Sequence, residues 1–376
     1  MYLRHLSLTD FRSWRTLELA FAEGHHLLVG RNGVGKTNIL EAIHVLGTGS
    51  SMRAARDAVL AAHGATRFRV AGRFEGAAGE GAGRRAEVDW DARAGKTILL
   101  DKESARASDL LAAVKVVSFA PSDVELVRES GRVRRRFLDL LGSQLSAEYL
   151  RLLRDYQRAI RQRNETLTRA FVHTRGRTGA ALAREPWTER VTALGADLAV
   201  RRAHLVQELA AALAELAQDA FPSALGVEYA PDVPWDGPDA TAALEDALAR
   251  SAGKDEALGY TTAGPHADDV DLRLGGKDLR RYGSLGQQQL AAMFLKLAQA
   301  DMVRRSAVAP PILLVDEMFA VLDRPAAEEF LRRVESEGQI FLATAQEGWL
   351  GELRSRRFHV HRVEGGQIRA EETAAA

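Results

Sequence analysis

Cysteine is absent from the chain, which excludes disulfides, Cys-ligated zinc, iron–sulfur clusters and thiol catalysis without revealing the compartment. Net charge is absent too. The 51 basic residues balance 51 acidic ones, so whole-chain electrostatics gives no support for nucleic-acid binding, and any DNA surface must be a local patch. No apolar run approaches the roughly 18 residues that span a bilayer. The opening Met1–Tyr2–Leu3–Arg4–His5–Leu6 lacks the basic and then apolar segments of a secretory leader. These absences predict a soluble, cytoplasmic protein without a membrane partner. What is present is 376 residues with 46% hydrophobic content, enough for one large domain or two intimately connected lobes.

Near the start, Leu3, Leu6, Leu8 and Phe11, then Leu17, Leu19 and Phe21, alternate with polar residues as in paired strands with one buried face. An apolar strand at 26–29 runs into a glycine-rich turn and then the helical stretch 38–43. Strand-like runs at 68–74 and 88–91 accompany a Gly- and Ala-rich segment, 76–95, which reads as a loose hairpin tip. From 134 to 167 the residues Phe137, Leu141, Leu145, Tyr149, Leu152, Tyr156 and Ile160 recur every three or four positions, predicting one long amphipathic helix. A second helical run covers 187–221, and the gap at 169–186 holds Gly176, Gly179 and Pro186, so the two runs read as a helical hairpin. Strands resume near 226–229, and the chain closes on a hairpin about Gly365 and Gly366.

Gly30-Arg31-Asn32-Gly33-Val34-Gly35-Lys36-Thr37 fits the pattern G-x-x-x-x-G-K-[ST] between a predicted strand and a predicted helix. Glycines let backbone N–H groups wrap a phosphate. Lys36 would reach the outer phosphates, Thr37 would ligate magnesium, and the helix N-terminus would add partial positive charge. A bare glycine-rich helix cap is the simpler alternative, and the strand–loop–helix context weighs against it. Ile312-Leu313-Leu314-Val315 followed by Asp316 and Glu317 reads as a buried central strand delivering two carboxylates at its C-terminal end. With the loop, Asp316 would hold magnesium and Glu317 would polarise the attacking water, which makes Lys36, Asp316 and Glu317 the candidate catalytic set. Slow turnover needs no further nucleophile.

Ser284-Leu285-Gly286-Gln287-Gln288-Gln289 precedes a helical run and resembles the signature motif of ABC-type ATPases. That resemblance implies that Ser284 and Gly286 bind the terminal phosphate of ATP held by a second subunit. Leu322-Asp323 likewise resembles the loop that communicates across the dimer seam, and Thr344 stands near the superfamily's polar switch residue. Read alone, Ser284–Gln289 is a polar cap before an ordinary helix; the order of the motifs along the chain favours the ATPase reading. The separation of Lys36 from Asp316 points to a compact insertion rather than long coiled-coil arms.

Further segments bring the chain to one family. Leu8-Thr9-Asp10-Phe11-Arg12-Ser13, Lys36 to Ile43, Ser51-Met52-Arg53, Phe119-Ala120-Pro121-Ser122-Asp123-Val124, Arg135 to Asp139, Tyr156 to Asn164 and Gly264-Pro265-His266-Ala267-Asp268-Asp269 resemble the RecF family of SMC- and Rad50-like ABC ATPases. The resemblance covers nearly the whole chain. It implies an α/β fold in which an ABC-type, Rad50/SMC head-like P-loop ATPase lobe (1–130 and 225–376) carries an inserted, mainly helical second lobe (131–224). It also implies ATP and Mg2+ as ligands, an ATP-dependent homodimer on double-stranded, gapped or junction DNA, and weak DNA-stimulated hydrolysis. RecR would be the direct partner, with RecO and RecA downstream, in repair, replication restart and the SOS response. The chain departs from the family pattern at Ala267 and Gln289, where arginine is usual, and at Leu285, where glutamine is usual.

Arg151, Arg154, Arg158 and Arg161 recur at helical spacing, a basic stripe that could neutralise phosphates without reading bases, with Arg53 and Arg56 a smaller cluster. The alternative is a solvated face paired with acids such as Asp155. His266, Asp268 and Asp269 read as turn residues, not metal ligands. Two other functions share the same motifs, a transporter-coupled ATPase and a nucleotide-sensing scaffold.

Overall fold

The computed structural model describes residues 1–54, 56–76, 83–173 (backbone only at 169–173), 186–307, 309–320, 322–335 and 338–371. The chain divides into two units, Met1–Val124 with Ala292–Ala376, and Glu125–Ala291.

The first unit holds two sheets. In the antiparallel one the strands run in the order Trp14–Ala20, Tyr2–Phe11, Arg67–Glu75, Arg84–Asp91, Gly95–Leu100 and Glu103–Ala105. The opening hairpin pairs Leu8 with Leu17 and His5 with Ala20, as the alternation predicts. Leu3 and Leu6 are both fully buried although a regular pleat would put them on opposite faces. A register shift between Leu3 and His5 resolves this. There the Gln339 side chain takes the place of a strand: its Oε1 accepts the Leu3 N–H at 2.7 Å and its Nε2 donates to the Leu3 carbonyl at 3.2 Å. The segment read as a loose tip is shorter than expected, because Arg84–Asp91 is a strand paired on both sides. Residues 77–82 lie outside the described residues.

The second sheet of this unit has the order Gln367–Ala370, His359–Glu364, His26–Val29, Ile340–Thr344, Ile312–Asp316 and Val116–Phe119, parallel except for the C-terminal hairpin. The helix Lys36–Thr48 packs against strands of both sheets, which is why its Ile39, Leu40, Ala42, Ile43, Val45 and Leu46 are all buried rather than one stripe of them. In a parallel sheet ligands gather at the carboxyl ends of the strands. The ends of His26–Val29, Ile312–Asp316 and Ile340–Thr344 therefore mark the edge where chemistry is expected.

In the second unit the helices Gly131–Leu145, Ala147–His173, Pro186–Ala217 and Thr241–Leu258 accompany an antiparallel sheet ordered Lys277–Asp278, Asp269–Leu274, Leu225–Ala230. The single helix expected over 134–167 is two helices. Ser146 is extended (φ −140°, ψ 122°), and its hydroxyl accepts the Tyr149 N–H at 3.2 Å, capping the second helix. The gap with Gly176 and Gly179 lies outside the described residues, and Pro186 opens the next helix, where its missing N–H does no harm. The unit boundaries also differ from the expected 131 and 224. Residues 225–291 group with the helices because the strand Leu225–Ala230 packs on Pro186–Ala217 and Thr241–Leu258 packs on the same helix.

Candidate functional site

The loop after His26–Val29 is built on glycine for reasons visible in its backbone. Gly30, Gly33 and Gly35 have φ of 158°, 80° and 106°. A Cβ on Gly35 would lie 2.9 Å from Trp14 Nε1 and 2.9 Å from Ser13 Oγ, and one on Gly30 would lie 2.3 Å from the Val363 carbonyl oxygen. Trp14 in turn donates its indole N–H to the Gly35 carbonyl at 3.2 Å. Arg31, Asn32 and Gly33 are exposed, Val34 is half-buried, and Lys36 is only 4% exposed.

Lys36 Nζ donates to the carbonyls of Gly30 at 2.8 Å and Arg31 at 3.1 Å, and lies 3.1 Å from Glu317 Oε1. Thr37 donates its hydroxyl to Asp316 Oδ1 at 2.8 Å. Burial pushes the Asp316 carboxyl up and the neighbouring Glu317 charge adds to this, while the Thr37 hydrogen bond, Arg53 and Lys36 oppose it. Glu317 sits in the left-handed region at φ 48°, a cost of roughly 1–2 kcal/mol for a residue with a Cβ. Its surroundings impose that geometry: its N–H donates to Ala343 at 2.9 Å, its carbonyl accepts from Ala320 at 3.0 Å, and its Oε2 accepts from Ala345 at 3.1 Å. The hard oxygen donors of Thr37 and Asp316, side by side, suit magnesium, and the loop's N–H groups at a helix N-terminus suit a phosphate.

Ser284 accepts the Gln287 N–H through its hydroxyl at 3.2 Å, and Gln287 Oε1 accepts the Ser284 N–H at 2.9 Å, a capping box on the helix Leu285–Ser306. Cap and phosphate ligand are compatible, since Ser284, Leu285 and Gly286 are exposed and a Cβ on Gly286 would meet nothing. Asp323 caps Arg324–Val334 by accepting from Ala326 at 3.0 Å. Thr344 is buried and accepts the Gln346 N–H at 3.0 Å.

Sequence reasoning missed a support behind this edge. Arg12 donates twice to the buried Glu41, at 2.8 and 2.9 Å, and Ser51 donates to the same carboxylate while accepting from Arg53 and Ala54. Glu41 on the loop's own helix thereby fixes the turn that carries Arg53, and Arg53 acts electrostatically on Asp316. The one available hint is a lone acid, Glu41, in the mostly apolar stretch 39–46 of the helix, and its burial shows only in the structure. Arg151, Arg154, Arg158 and Arg161 are all exposed on Ala147–His173. His266 bonds Tyr156 at 2.8 Å and the Thr261 carbonyl at 2.9 Å, Asp268 meets Arg202 at 3.0 Å, and Asp269 meets Arg134 at 2.7 Å, so these side chains have structural partners.

A parallel sheet with a glycine loop after one strand, two acids after another and a buried lysine between them defines the class: an α/β protein with the ABC-type P-loop ATPase fold. The family model described as the RecF/RecN/SMC N terminal domain matches residues 2–369. The DNA replication and repair protein RecF of Anaeromyxobacter dehalogenans (strain 2CP-1) is 40% identical, over 88% of this chain and 88% of its own. The RecF of Synechococcus sp. (strain JA-3-3Ab) is 32% identical over 98% and 97%. A solved structure of the recombination mediator protein RecF with ATP, in the RecFOR pathway, superposes with a TM-score of 0.88 at 23% identity, covering 98% of this chain and 97% of that one, a likeness of fold. The chain belongs to the RecF family within the RecF/RecN/SMC group. Among the described residues no helix is long and apolar enough to cross a membrane.

Proposed function

We propose that the chain binds ATP with magnesium at Gly30–Thr37 and closes into a homodimer in which Ser284 and Gly286 of each copy meet the terminal phosphate held by the other. The dimer holds DNA, and slow, DNA-stimulated hydrolysis releases it. The observation that carries this reading is the convergence of Lys36, Thr37, Asp316 and Glu317 within 3.1 Å contacts at the strand ends. Lys36 now rests on two neutral carbonyls and one carboxylate, Glu317, partners that the several negative charges of a nucleotide's phosphates outcompete. Its transfer to phosphate separates it from Glu317, leaving that carboxylate, still held by the Ala345 amide, to orient a water and take its proton. Thr37 and Asp316 would hold magnesium, which when bound supplies neutralisation of phosphate charge.

Family membership supports the wider role: a cytoplasmic recombination mediator acting with RecR, and with RecO and RecA downstream, at double-stranded, gapped or junction DNA in repair, replication restart and the SOS response. The exposed stripe Arg151, Arg154, Arg158 and Arg161 is the candidate phosphate-contacting surface. Solution mass by light scattering with DNA binding by anisotropy, each with and without ATP and magnesium, tests the mechanism. ATP-dependent dimers that retain DNA, lost in Lys36→Met and in Ser284→Arg, are the expected result. Mass and DNA affinity indifferent to ATP would reject it, and turnover indifferent to DNA would favour the transporter-coupled reading.

A further inference from the structure

Trp349 touches two loops of the phosphate-binding edge at once. Its indole N–H donates to Gln346 Oε1 at 3.2 Å. The Gln346 N–H donates to the Thr344 hydroxyl at 3.0 Å, and the adjacent Ala345 N–H donates to Glu317 Oε2 at 3.1 Å. The ring stacks on Phe319, centroids 4.6 Å apart and planes at 22°. Phe319 lies two residues beyond Glu317, in the turn that leads towards Asp323. On the same ring, Arg324 sits 5.1 Å from the centroid, held by Glu328 at 2.8 Å and Glu352 at 3.0 Å. Arg324 is the first residue of the helix that Asp323 caps.

A buried indole N–H needs an acceptor whatever its role, so the informative points are which acceptor it takes and that a cation sits on the ring. Here the N–H goes to the side chain of the residue next to the amide that aims Glu317, and the cation belongs to the turn of Asp323. The left-handed backbone of Glu317 makes that aim dependent on outside contacts. We propose that Trp349 is a positioning residue: it fixes the Ala345–Gln346 turn so that the Ala345 amide orients the Glu317 carboxylate, and through Phe319 and Arg324 it links that orientation to the Asp323 turn. The inference rests on the ATPase reading given above.

The test uses the full chain with Trp349→Phe, which keeps a stacking ring and loses the N–H, Gln346→Ala, which removes the acceptor, and Trp349→Ala, which removes both contacts. Hydrogen exchange in the nucleotide-free protein should show faster exchange at the Ala345 and Gln346 amides in all three. In steady-state hydrolysis the first two should lower kcat by about fivefold, the equivalent of one hydrogen bond, with KM for ATP unchanged, and Trp349→Ala should lower it further. Wild-type exchange at Ala345 in Trp349→Phe and Gln346→Ala, or a rise in KM with kcat intact, overturns the proposal. If the wild-type protein hydrolyses no ATP, the ATPase reading fails by itself, and the exchange measurement still decides whether Trp349 holds the Ala345 turn.

Discussion

The glycine loop in the first unit and the Arg202 cluster in the second are both dense in buried charge, yet their charges are differently employed. Arg202 meets Asp139 at 2.7 Å and Asp268 at 3.0 Å, and Asp268 also accepts from the Asp232 N–H at 3.0 Å. Arg163 is as fully engaged, meeting Asp255 at 2.8 Å, Thr261 at 2.6 Å and Thr188 at 3.0 Å. Lys36, by contrast, is shared between two carbonyls of its own loop and a single carboxylate, Glu317 at 3.1 Å, beside glycines whose backbone no other residue adopts freely. Buried charge alone does not mark a site. The proposed site is distinguished instead by a cation held largely by the backbone of its own glycine loop.

The sharpest way to break this comparison is to remove a cation from each side. Arg163→Met leaves Asp255 buried without its partner and should destabilise the protein by about 3–5 kcal/mol in urea unfolding, whereas Lys36→Met should abolish ATP binding in calorimetry with the fold intact. The reverse pattern would make the loop structural and the cluster functional.

Acidification probes a third buried group, the histidine pair of the parallel sheet. His26 and His361 lie 3.0 Å apart, and burial pushes them down to about 3 and about 4. The unfolded chain binds protons on both near pH 6.5 and the folded chain does not, so stability is full above pH 6.5 and falls as the pH drops towards those values. The loss should be on the order of 2 kcal/mol per histidine by pH 5. Unfolding midpoints at pH 7.5 and pH 5 measure it; a His361→Gln variant should show a shallower loss, and an equal loss would assign the effect elsewhere.

Gly35→Ala tests whether the loop's geometry is required. It should cost about 1–3 kcal/mol of stability through its left-handed backbone and crowding against Trp14, and weaken ATP binding at the same time. Tight binding with an unchanged melting profile would show that the loop adapts. The smallest effect on the fold belongs to the exposed stripe: Arg158→Ala should change stability by no more than about 0.5 kcal/mol. It should also reduce the salt dependence of DNA binding by about one phosphate contact. An unchanged slope would remove Arg158 from the DNA surface.

Much of the candidate site was legible because its groups are local in sequence. Glycines at 30, 33 and 35, then Lys36 and Thr37, must be contiguous to wrap a phosphate, and Asp316 and Glu317 must follow an apolar strand to be delivered at its end. The helix break was not legible, since Tyr149 keeps the apolar period that Ser146 interrupts. Nor was the unit boundary at 291: only packing on the helices shows where the strands of 225–274 belong. Glu41 reads as an ordinary polar position of a helix until Arg12 and Ser51 are seen to close on it.

By itself, then, the sequence determined the identity and order of the groups at the candidate nucleotide edge and the alternation that pairs the first strands, because these depend on neighbours along the chain and on the period of the backbone. The tertiary structure alone decided which buried cations meet two acids, as Arg202 does, and which meet one acid and loop carbonyls, as Lys36 does. It also decided that Gln339 would repair the bulge at Leu3 and that Trp349 would sit between the Glu317 and Asp323 turns. Those outcomes depend on groups distant in sequence meeting at hydrogen-bond distance, and no local pattern encodes that distance.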